Sequence, residues 1–246
     1  MIEKNVIYNE DCFSLIEQMV EENFKVDVVL TQCPPKLSKQ DYINLFQHFN
    51  KILINNGTVL IEIAYNRKKP SEIFQIINEI EMNTEFILGD IIYWNKTDIL
   101  PDNMSCNQST KNISQIHLFC RKNEFKTYKT NKKVKSFRMT GQKTYTNISN
   151  IINAPVRDKG VKTFNHHVFS TELVKELLNM YVKKRGIVFD CFLGTGTVAV
   201  ATINKNIYYI ASEIDKEQVE YSRVRILKKK KEIKDEYYRN YKRKKE

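Results

Sequence analysis

The stretch Val188-Phe189-Asp190-Cys191-Phe192-Leu193-Gly194-Thr195-Gly196-Thr197-Val198-Ala199 decides the fold class. Its first residues predict a buried strand that ends at Asp190, and the two glycines predict a tight turn into a helix. Glycine lets the backbone approach a ligand closely, and the N–H groups at the start of the following helix attract an anionic group. The stretch therefore predicts a loop that binds a nucleotide-like cofactor.

A carboxylate follows this loop at the distance expected of a ribose-binding residue. The apolar run 207–212 ends at Glu213, and a carboxylate about 20 residues beyond such a loop can accept hydrogen bonds from a ribose. The spacing of the glycines also fits the dinucleotide pattern. However, Asp190 would repel a pyrophosphate and would attract the ammonium and sulfonium groups of S-adenosylmethionine. We therefore expect S-adenosylmethionine as the cofactor.

Length and composition indicate one medium-sized α/β domain. The 246 residues can bury a full core. The five cysteines are odd in number and form no C-x-x-C pair, so we expect reduced thiols and no metal site. No apolar run approaches the roughly 18 residues of a membrane span, and no apolar signal segment opens the sequence. These features predict a soluble, cytoplasmic protein with no membrane partner.

Two segments concentrate the positive charge. The chain has 40 Lys and Arg against 29 Asp and Glu, a net charge of +11. Residues 121–143 contribute +8 and residues 227–246 contribute +6, so the rest carries 11 − 14 = −3. An acidic body with concentrated basic segments is typical of proteins that bind nucleic-acid phosphates, although the second segment is equally well explained as a solvated tail. The candidate DNA-binding residues are Lys36, Arg121, Lys126, Lys129, Lys132, Lys133, Lys135, Arg138 and Lys143.

Apolar periodicity divides the chain into strands and helices. Strand-like runs at 5–8, 26–30, 58–64, 86–94 and 115–121 are interspersed with amphipathic helices at 12–22, 40–53 and from Ser71 onward. This alternation predicts parallel strands joined by crossover helices on both faces of the sheet. The period is lost at 122–165, which we interpret as a target-recognition insert. We therefore divide the chain into a catalytic half (1–121), this insert (122–165), a cofactor-binding half (166–226) and a basic C-terminal tail (227–246).

The second half opens on a helix start. In Phe169-Ser170-Thr171, either hydroxyl can cap a helix that continues through Leu177 and Met180. The N-terminus of that helix offers a position for the carboxylate of a methionine moiety. An ordinary capped helix without a ligand is the alternative interpretation.

The order of these motifs resembles that of the β-type site-specific DNA amino-methyltransferases. In that family the catalytic motif comes first, followed by a target-recognition region and then motifs X and I. Here the order is Cys33-Pro34-Pro35, the basic insert, Phe169-Ser170-Thr171 and the loop from Asp190. Residues 9–12 also resemble the family's opening motif, in which an acid such as Asp11 contacts the cofactor adenine.

The resemblance implies a fold, a reaction and a cofactor site. The implied fold is the Rossmann-like class I methyltransferase fold with a mostly parallel sheet. The implied reaction is methyl transfer from S-adenosylmethionine to N4 of cytosine or N6 of adenine in a specific DNA duplex sequence, as in restriction-modification systems. The implied cofactor-binding residues are Asp11, Phe169, Ser170, Thr171, Asp190, Phe192, Gly194, Thr195, Gly196, Thr197 and Glu213.

The catalytic motif departs from the family pattern at two positions. The family carries Asp, Asn or Ser before the Pro-Pro pair, to accept a hydrogen from the target amine, and an aromatic after it, to stack on the flipped base. Here Cys33 and Lys36 stand at these positions, and a thiol is a weak acceptor. Gln32 offers an amide oxygen beside Pro34 and Pro35, and Tyr42 or Phe46 could supply a ring.

The sequence is compatible with three functions. The first is an active DNA amino-methyltransferase with altered side chains. The second is a pseudo-enzyme that binds DNA or serves as the partner subunit of another methyltransferase or of a restriction subunit, as a homodimer or heterodimer. The third is a methyltransferase for RNA or another amine. The composition, rich in Lys, Asn and Ile, suggests a bacterial, phage or viral origin.

Overall fold

The fold is taken from a computed structural model, which describes residues 1–101, 106, 107, 109–162, 164 and 168–243. Within these residues, six α-helices are α1 Cys12–Glu21, α2 Lys39–Ile52, α3 Glu72–Asn83, α4 Thr171–Tyr181, α5 Thr197–Thr202 and α6 Lys216–Arg243. The strands are β1 Val6–Tyr8, β2 Val26–Gln32, β3 Leu53–Glu62, β4 Phe86–Lys96, β5 Ile113–Arg121, β6 Val134–Phe137, β7 Lys143–Tyr145, β8 Ile151–Ala154, β9 Ile187–Asp190 and β10 Tyr208–Ser212. The elements predicted from periodicity are confirmed, with boundaries shifted by a few residues.

Eight strands form one mixed sheet in the order β1-β10-β9-β2-β3-β5-β4-β8. Neighbouring strands are parallel except where β5 pairs antiparallel with β3 and with β4. The expectation of parallel strands is therefore wrong for β5. None of the described residues between the two strands, 97–101, 106, 107 and 109–112, forms a crossover helix, and β5 pairs with β4 in the opposite direction.

Helices cover both faces of the sheet, as the α/β class requires. Helices α1, α2 and α3 pack their apolar sides on one face, around Leu15, Phe46 and Ile80. Helices α4, α5 and α6 cover the other face, where Leu177 and Val198 belong to one apolar cluster and Val219 to its neighbour. Both faces are thus closed to water, and a ligand site is left to the strand ends.

The segment predicted as an insert contributes to the main sheet. Strand β8 pairs in parallel with the outer edge of β4, while β6 and β7 form a separate hairpin whose strands are largely exposed. Before the hairpin, the Asn131 amide donates to the carbonyls of Asn179 and Val182 at the end of α4. These carbonyls lie toward the edge of the sheet where β9 begins, so the hairpin is anchored at the amino edge of the parallel strands. The boundary proposed at 165/166 lies outside the described residues.

Helix α6 leaves the carboxyl edge of the sheet and runs away from it. Its 28 residues correspond to a length of about 42 Å. From Leu227 onward nearly all its side chains are exposed, so the basic tail lies far from the strand ends that surround Asp190. Among the described residues, no helix combines the length and apolar character needed to span a bilayer.

Candidate active site

A cavity of about 560 Å³ opens at the carboxyl ends of β2, β9 and β10. The loop after β2 forms one side of it, and the loop after β9 together with the end of β10 forms the other. The lining residues are Gln32, Cys33, Pro34, Pro35, Lys36, Phe164, Val168, Phe169, Asp190, Phe192, Leu193, Gly194, Thr195, Thr197, Val198, Glu213, Ile214 and Gln218. Both halves of the site predicted from the sequence therefore meet in one cavity.

Asp190 is a buried carboxylic acid at the end of β9. Its Oδ1 accepts hydrogen bonds from Thr31 Oγ1 at 2.8 Å and from the Phe192 backbone N–H at 3.3 Å, and its exposed fraction is only 3%. Burial, with a smaller contribution from the charge of Glu213, raises the pKa of Asp190 to about 7, even though the two hydrogen bonds offset part of the shift. A cation bound in the cavity would stabilise the ionised form and reverse this shift.

Glu213 is held in place by the cofactor loop. Its Oε2 accepts from the Gly194 backbone N–H at 2.8 Å, and its Oε1 accepts from the Asp215 N–H at 2.9 Å. These bonds tie the end of β10 to the turn after β9 and hold the carboxylate at the cavity wall. This is the position expected of a ribose-binding acid.

Gly196 is required by packing as well as by conformation. Its φ of +82° lies in the left-handed region, and a Cβ added there would lie 2.6 Å from the Cβ of Ser222 in α6. Gly196 does not line the cavity itself. Its role is to let α6 pack closely against the loop that does.

The same loop is clamped by Arg225 of α6. One guanidinium nitrogen donates to the Thr195 carbonyl at 2.7 Å and to the hydroxyls of Thr195 and Thr197, while the other pairs with Asp158 at 2.9 Å. Both charged side chains are largely buried. The Asp158 carboxylate also accepts from the backbone N–H and the hydroxyl of Thr171.

This arrangement corrects the prediction that Ser170 and Thr171 bind the cofactor carboxylate. Ser170 is completely buried and its Oγ caps α4 by accepting from the Leu173 N–H. The donors of Thr171 are already committed to Asp158. Neither residue lines the cavity, although the adjacent Phe169 does. The N-terminus of α4 is thus capped by Ser170 and already contacted by the Asp158 carboxylate.

Gln32 projects from the end of β2 into the cavity wall. Its Nε2 donates to Glu62 Oε2 on the neighbouring strand β3, and Glu62 is only 8% exposed. An amide whose nitrogen donates to a carboxylate presents its oxygen as an acceptor elsewhere. The Cys33 backbone N–H also donates to the Glu62 carbonyl at 3.1 Å, so Glu62 fixes both residues that precede the prolines.

Cys33 itself turns its thiol into the core. Its exposed fraction is 2%, it belongs to the apolar cluster that includes Cys12 and Cys191, and it lies close to the Tyr42 hydroxyl. Burial raises the pKa of the Cys33 thiol well above its ordinary value, and the Tyr42 hydroxyl offsets only part of this. The thiol is therefore neutral at physiological pH. Among the described residues, no group of three or more His, Cys, Asp or Glu could hold a metal ion.

The rings considered as substitutes for the missing aromatic are inaccessible. Tyr42 is 2% exposed and Phe46 is fully buried in the core beneath α2. They cannot stack on a base, because their helix packs them against the sheet. Phe164 and Phe192 are the half-buried rings on the cavity wall.

Asp11 lies outside the cavity lining. Its Oδ1 accepts from the backbone N–H groups of Phe13 and Ser14, so it caps α1. The preceding Asn9 donates its side-chain amide to the carbonyls of Glu213 and Ile214, which brings the loop after β1 beside the end of β10. A contact between Asp11 and adenine stays a prediction.

The basic residues fall into three groups. Lys36 is exposed at the mouth of the cavity. Seven candidate DNA-binding residues of the insert are exposed along the segment anchored at the amino edge of the sheet: Lys126, Lys129, Lys132, Lys133, Lys135, Arg138 and Lys143. Arg121 does not fit its prediction, because its guanidinium nitrogens are all directed at protein acceptors, namely Asn50, Leu53, Ile54 and Glu124. It is a structural residue.

The sequence interpretation missed Glu62 and Gln218. Gln218 lines the cavity from the first turn of α6. Glu62 carries a signal in the sequence, because it is the one acid within the apolar run 58–64, and a lone acid in a buried strand predicts a functional or paired carboxylate. Its partner Gln32 could not be predicted, because that contact depends on which strands are neighbours.

Comparison with known proteins identifies the family. A sequence model of the family described as "DNA methylase" matches residues 36–224, which is most of the chain. Among curated protein sequences, none matches this chain.

Solved structures support the same fold. The M1.HpyAVI complex with S-adenosylmethionine is 22% identical, with a TM-score of 0.69 over 89% of this chain and 98% of that one. PvuII DNA methyltransferase, cytosine-N4-specific, is 17% identical, with a TM-score of 0.68 over 92% of this chain and 87% of that one. TTHA0409 from Thermus thermophilus, complexed with S-adenosyl-L-methionine, is 15% identical, with a TM-score of 0.58 over 91% of this chain and 95% of that one. These similarities confirm the predicted Rossmann-like methyltransferase fold. With the sequence match over most of its length, the chain belongs to the N6/N4 DNA methylase family.

Proposed function

We propose that this protein is an S-adenosylmethionine-dependent DNA methyltransferase that acts on an exocyclic amino group, N4 of cytosine or N6 of adenine, within a specific duplex sequence. One observation carries the proposal: a single cavity is lined both by the cofactor loop and by the residues around the Pro34-Pro35 pair. Methyl donor and target amine can therefore meet in one enclosed space, as methyl transfer requires.

The cavity suits the cofactor in size and charge. Its volume of about 560 Å³ lies in the ordinary range of ligand sites. S-adenosylmethionine supplies an electrophilic methyl group on a sulfonium, and it also carries an ammonium. Asp190 and Glu213 place two acidic side chains on the cavity wall, which favours a ligand with two positive groups. The proteins M1.HpyAVI and TTHA0409, which share this fold, have been solved with S-adenosylmethionine.

Gln32 is the residue that we propose accepts a hydrogen from the target amine. The lone pair of an exocyclic amine is delocalised into the base, so the amine needs acceptors for its hydrogens before it can attack. The Gln32 amide oxygen is suited to this role because the amide nitrogen is engaged by Glu62. A backbone carbonyl of the loop from Cys33 to Pro35 would accept the second hydrogen. The new C–N bond then forms as the C–S bond breaks, the electron pair moves to sulfur, and the methylated amine releases a proton to water.

The target base has to leave the duplex to reach this cavity. We propose that Lys36, which is exposed at the mouth, contacts a phosphate beside the flipped nucleotide. We propose that the basic hairpin of β6 and β7 recognises the DNA sequence. Formation of a dimer would be one way to bring this hairpin close to the bound DNA. We also propose a role in restriction-modification, because the chain belongs to the N6/N4 DNA methylase family.

The test is a mass-spectrometric analysis of DNA nucleosides. The protein is incubated with unmethylated genomic duplex DNA and S-adenosylmethionine that carries a deuterated methyl group. The proposal predicts deuterated N4-methyldeoxycytidine or N6-methyldeoxyadenosine. Cofactor binding by the same preparation with no labelled nucleoside in duplex DNA would contradict it.

A pseudo-enzyme is the second candidate, because Cys33 is buried and Lys36 provides no aromatic ring. It predicts cofactor and duplex binding without transfer, and a changed activity of a partner methyltransferase. Label found in single-stranded RNA but not in duplex DNA would instead indicate an RNA methyltransferase.

A further inference from the structure

A second group of cations lies at the same edge of the sheet as the active site. Lys96 ends β4, and Lys111 lies two residues before the start of β5. Because β5 runs antiparallel, its first residues and the last residues of β4 share the carboxyl edge. The Lys96 backbone N–H donates to the Asn112 carbonyl at 2.8 Å, so the two lysines lie on neighbouring segments of the sheet edge.

Both lysines are held on aromatic rings instead of extending into solvent. The Lys96 ammonium lies 4.9 Å from the centre of the Trp94 ring, and the Lys111 ammonium lies over the ring of Tyr65. The register explains the second contact, since Glu62 of β3 is opposite Ile116 of β5 and the same pairing continued places Tyr65 beside the start of β5. Both lysine side chains are only partly exposed.

No carboxylate in the described part of the chain balances these two positive charges. None of the ion pairs among those residues includes either ammonium group. Burial, together with the charges of Arg67 and Lys96, lowers the pKa of Lys111 to about 8. Cations brought together without a carboxylate favour an external anion.

The position of the pair relative to the active site indicates what that anion is. Across the carboxyl edge the order is β2, β3, β5, β4, so three strand spacings of about 4.8 Å separate the loop of Gln32 from Lys96. Lys96 also lies four residues, about 13 Å, beyond Ile92, which the pairing through Ile116 and Glu62 sets level with Gln32. The combined distance of about 20 Å matches about six steps of 3.4 Å along a DNA strand. A strand with one nucleotide in the cavity would place its flanking phosphates above this part of the edge.

We propose that Lys96 and Lys111 form a phosphate-binding site for the DNA strand that flanks the flipped base. This inference rests on the proposed function, because it takes DNA as the substrate. It assigns backbone binding to the edge of the sheet beside the cavity, and leaves the hairpin at the opposite edge for other contacts. Tyr65 and Trp94 hold the ammonium groups near their binding positions, which reduces the entropy lost on binding.

The test compares two double variants that remove the same charge. Lys96→Gln with Lys111→Gln removes the proposed site, and Lys183→Gln with Lys184→Gln removes two exposed charges at the amino edge, before β9. Binding of a fluorescent duplex is measured by anisotropy between about 50 and 200 mM salt. Each lost phosphate contact lowers the salt slope by about 0.9, so the first variant is expected to lose about 1.8 and to bind roughly tenfold or more weakly at about 100 mM salt.

The control variant is expected to keep the wild-type slope, and both variants are expected to keep the wild-type affinity for S-adenosylmethionine. Equal effects of the two variants, or an unchanged slope in the first, would overturn the proposal. Wild-type duplex binding without methyl transfer would contradict the proposed function alone. Methyl transfer by wild type together with an unchanged slope in the first variant would contradict the phosphate site alone.

Discussion

Substituting Asp190 by asparagine tests the electrostatics of the cavity most sharply. The two side chains have the same shape, and the amide oxygen can still accept from Thr31 and from the Phe192 N–H, which now contact Oδ1. What changes is the ability to ionise. The wild-type carboxyl is buried and has a pKa of about 7 instead of 3.8, so its ionised form is unfavourable in the ligand-free protein.

The size of the effect follows from this shift. A raised acid pKa means that stability is fully present below the unfolded pKa and is lost as the pH rises through the folded one. The shift of about 3 units corresponds to about 4 kcal/mol, at about 1.4 kcal/mol per unit. In the unfolded chain the Asp190 carboxyl ionises near pH 4. About one unit of the pKa shift therefore reduces stability below pH 5. The remaining two units, about 2 to 3 kcal/mol, reduce it between pH 5 and pH 8.

Urea denaturation of wild type and Asp190→Asn without cofactor, at pH 5, 6, 7 and 8, measures this difference. We expect the variant to gain on wild type by about 2 to 3 kcal/mol between pH 5 and pH 8. We also expect the variant to bind S-adenosylmethionine more weakly at pH 8, and wild-type affinity to fall as the pH drops below 7 and Asp190 takes up a proton. Stability curves that run parallel within about 0.5 kcal/mol would refute the reasoning, because they would mean that Asp190 ionises normally in the folded protein.

Three further substitutions test the packing around the site. His117→Leu is expected to raise the free energy of unfolding by about 1 to 2 kcal/mol in urea. The ring is fully buried, and neither nitrogen has a well-formed hydrogen bond to another described residue. Burial lowers the pKa of His117 to about 4, although the Ile61 backbone offsets part of the shift; unchanged stability would contradict this prediction. Gly196→Ala adds a Cβ to a left-handed residue, 2.6 Å from the Cβ of Ser222. We therefore expect the free energy of unfolding to fall by about 2 to 4 kcal/mol and cofactor binding to weaken. A fall of less than about 1 kcal/mol would count against this prediction. Asp158→Ala leaves Arg225 without its carboxylate partner, so we expect it to lower the free energy of unfolding by about 1 to 3 kcal/mol. Adding Arg225→Met should recover part of that free energy. If the effects of the two substitutions on thermal unfolding simply add, Arg225 and Asp158 do not act as a pair.

The cofactor half of the site could be predicted from the sequence because its signals are local. The strand that ends at Asp190, the turn through Gly194 and Gly196, and the acid Glu213 all lie within one strand-turn-helix-strand unit. Such a unit folds in nearly the same way wherever it occurs, so spacing alone predicts its geometry. The structure brings Asp190, Gly194 and Glu213 to one cavity as expected.

The catalytic half could not be predicted to the same depth, because its contacts join distant parts of the chain. Whether Cys33 or Gln32 faces the cavity depends on the pleat of β2 and on Glu62 of the neighbouring strand. The roles of Arg121 and Thr171 depend in the same way on partners 71 and 13 residues away. Charge and helix-start patterns identify such residues as polar and important, but they cannot tell a ligand contact from an internal one.

Gln32, and not Cys33, is the residue that we propose prepares the target amine for methyl transfer. The direct measurement is the single-turnover rate of methyl transfer to a duplex substrate at saturating S-adenosylmethionine and DNA, for wild type, Gln32→Ala and Cys33→Ala. We expect the rate to fall about 100-fold or more in Gln32→Ala, as for the removal of one well-placed hydrogen-bonding group, and to change by less than about fivefold in Cys33→Ala. A wild-type rate in Gln32→Ala, or a large loss confined to Cys33→Ala in a folded protein, would contradict it.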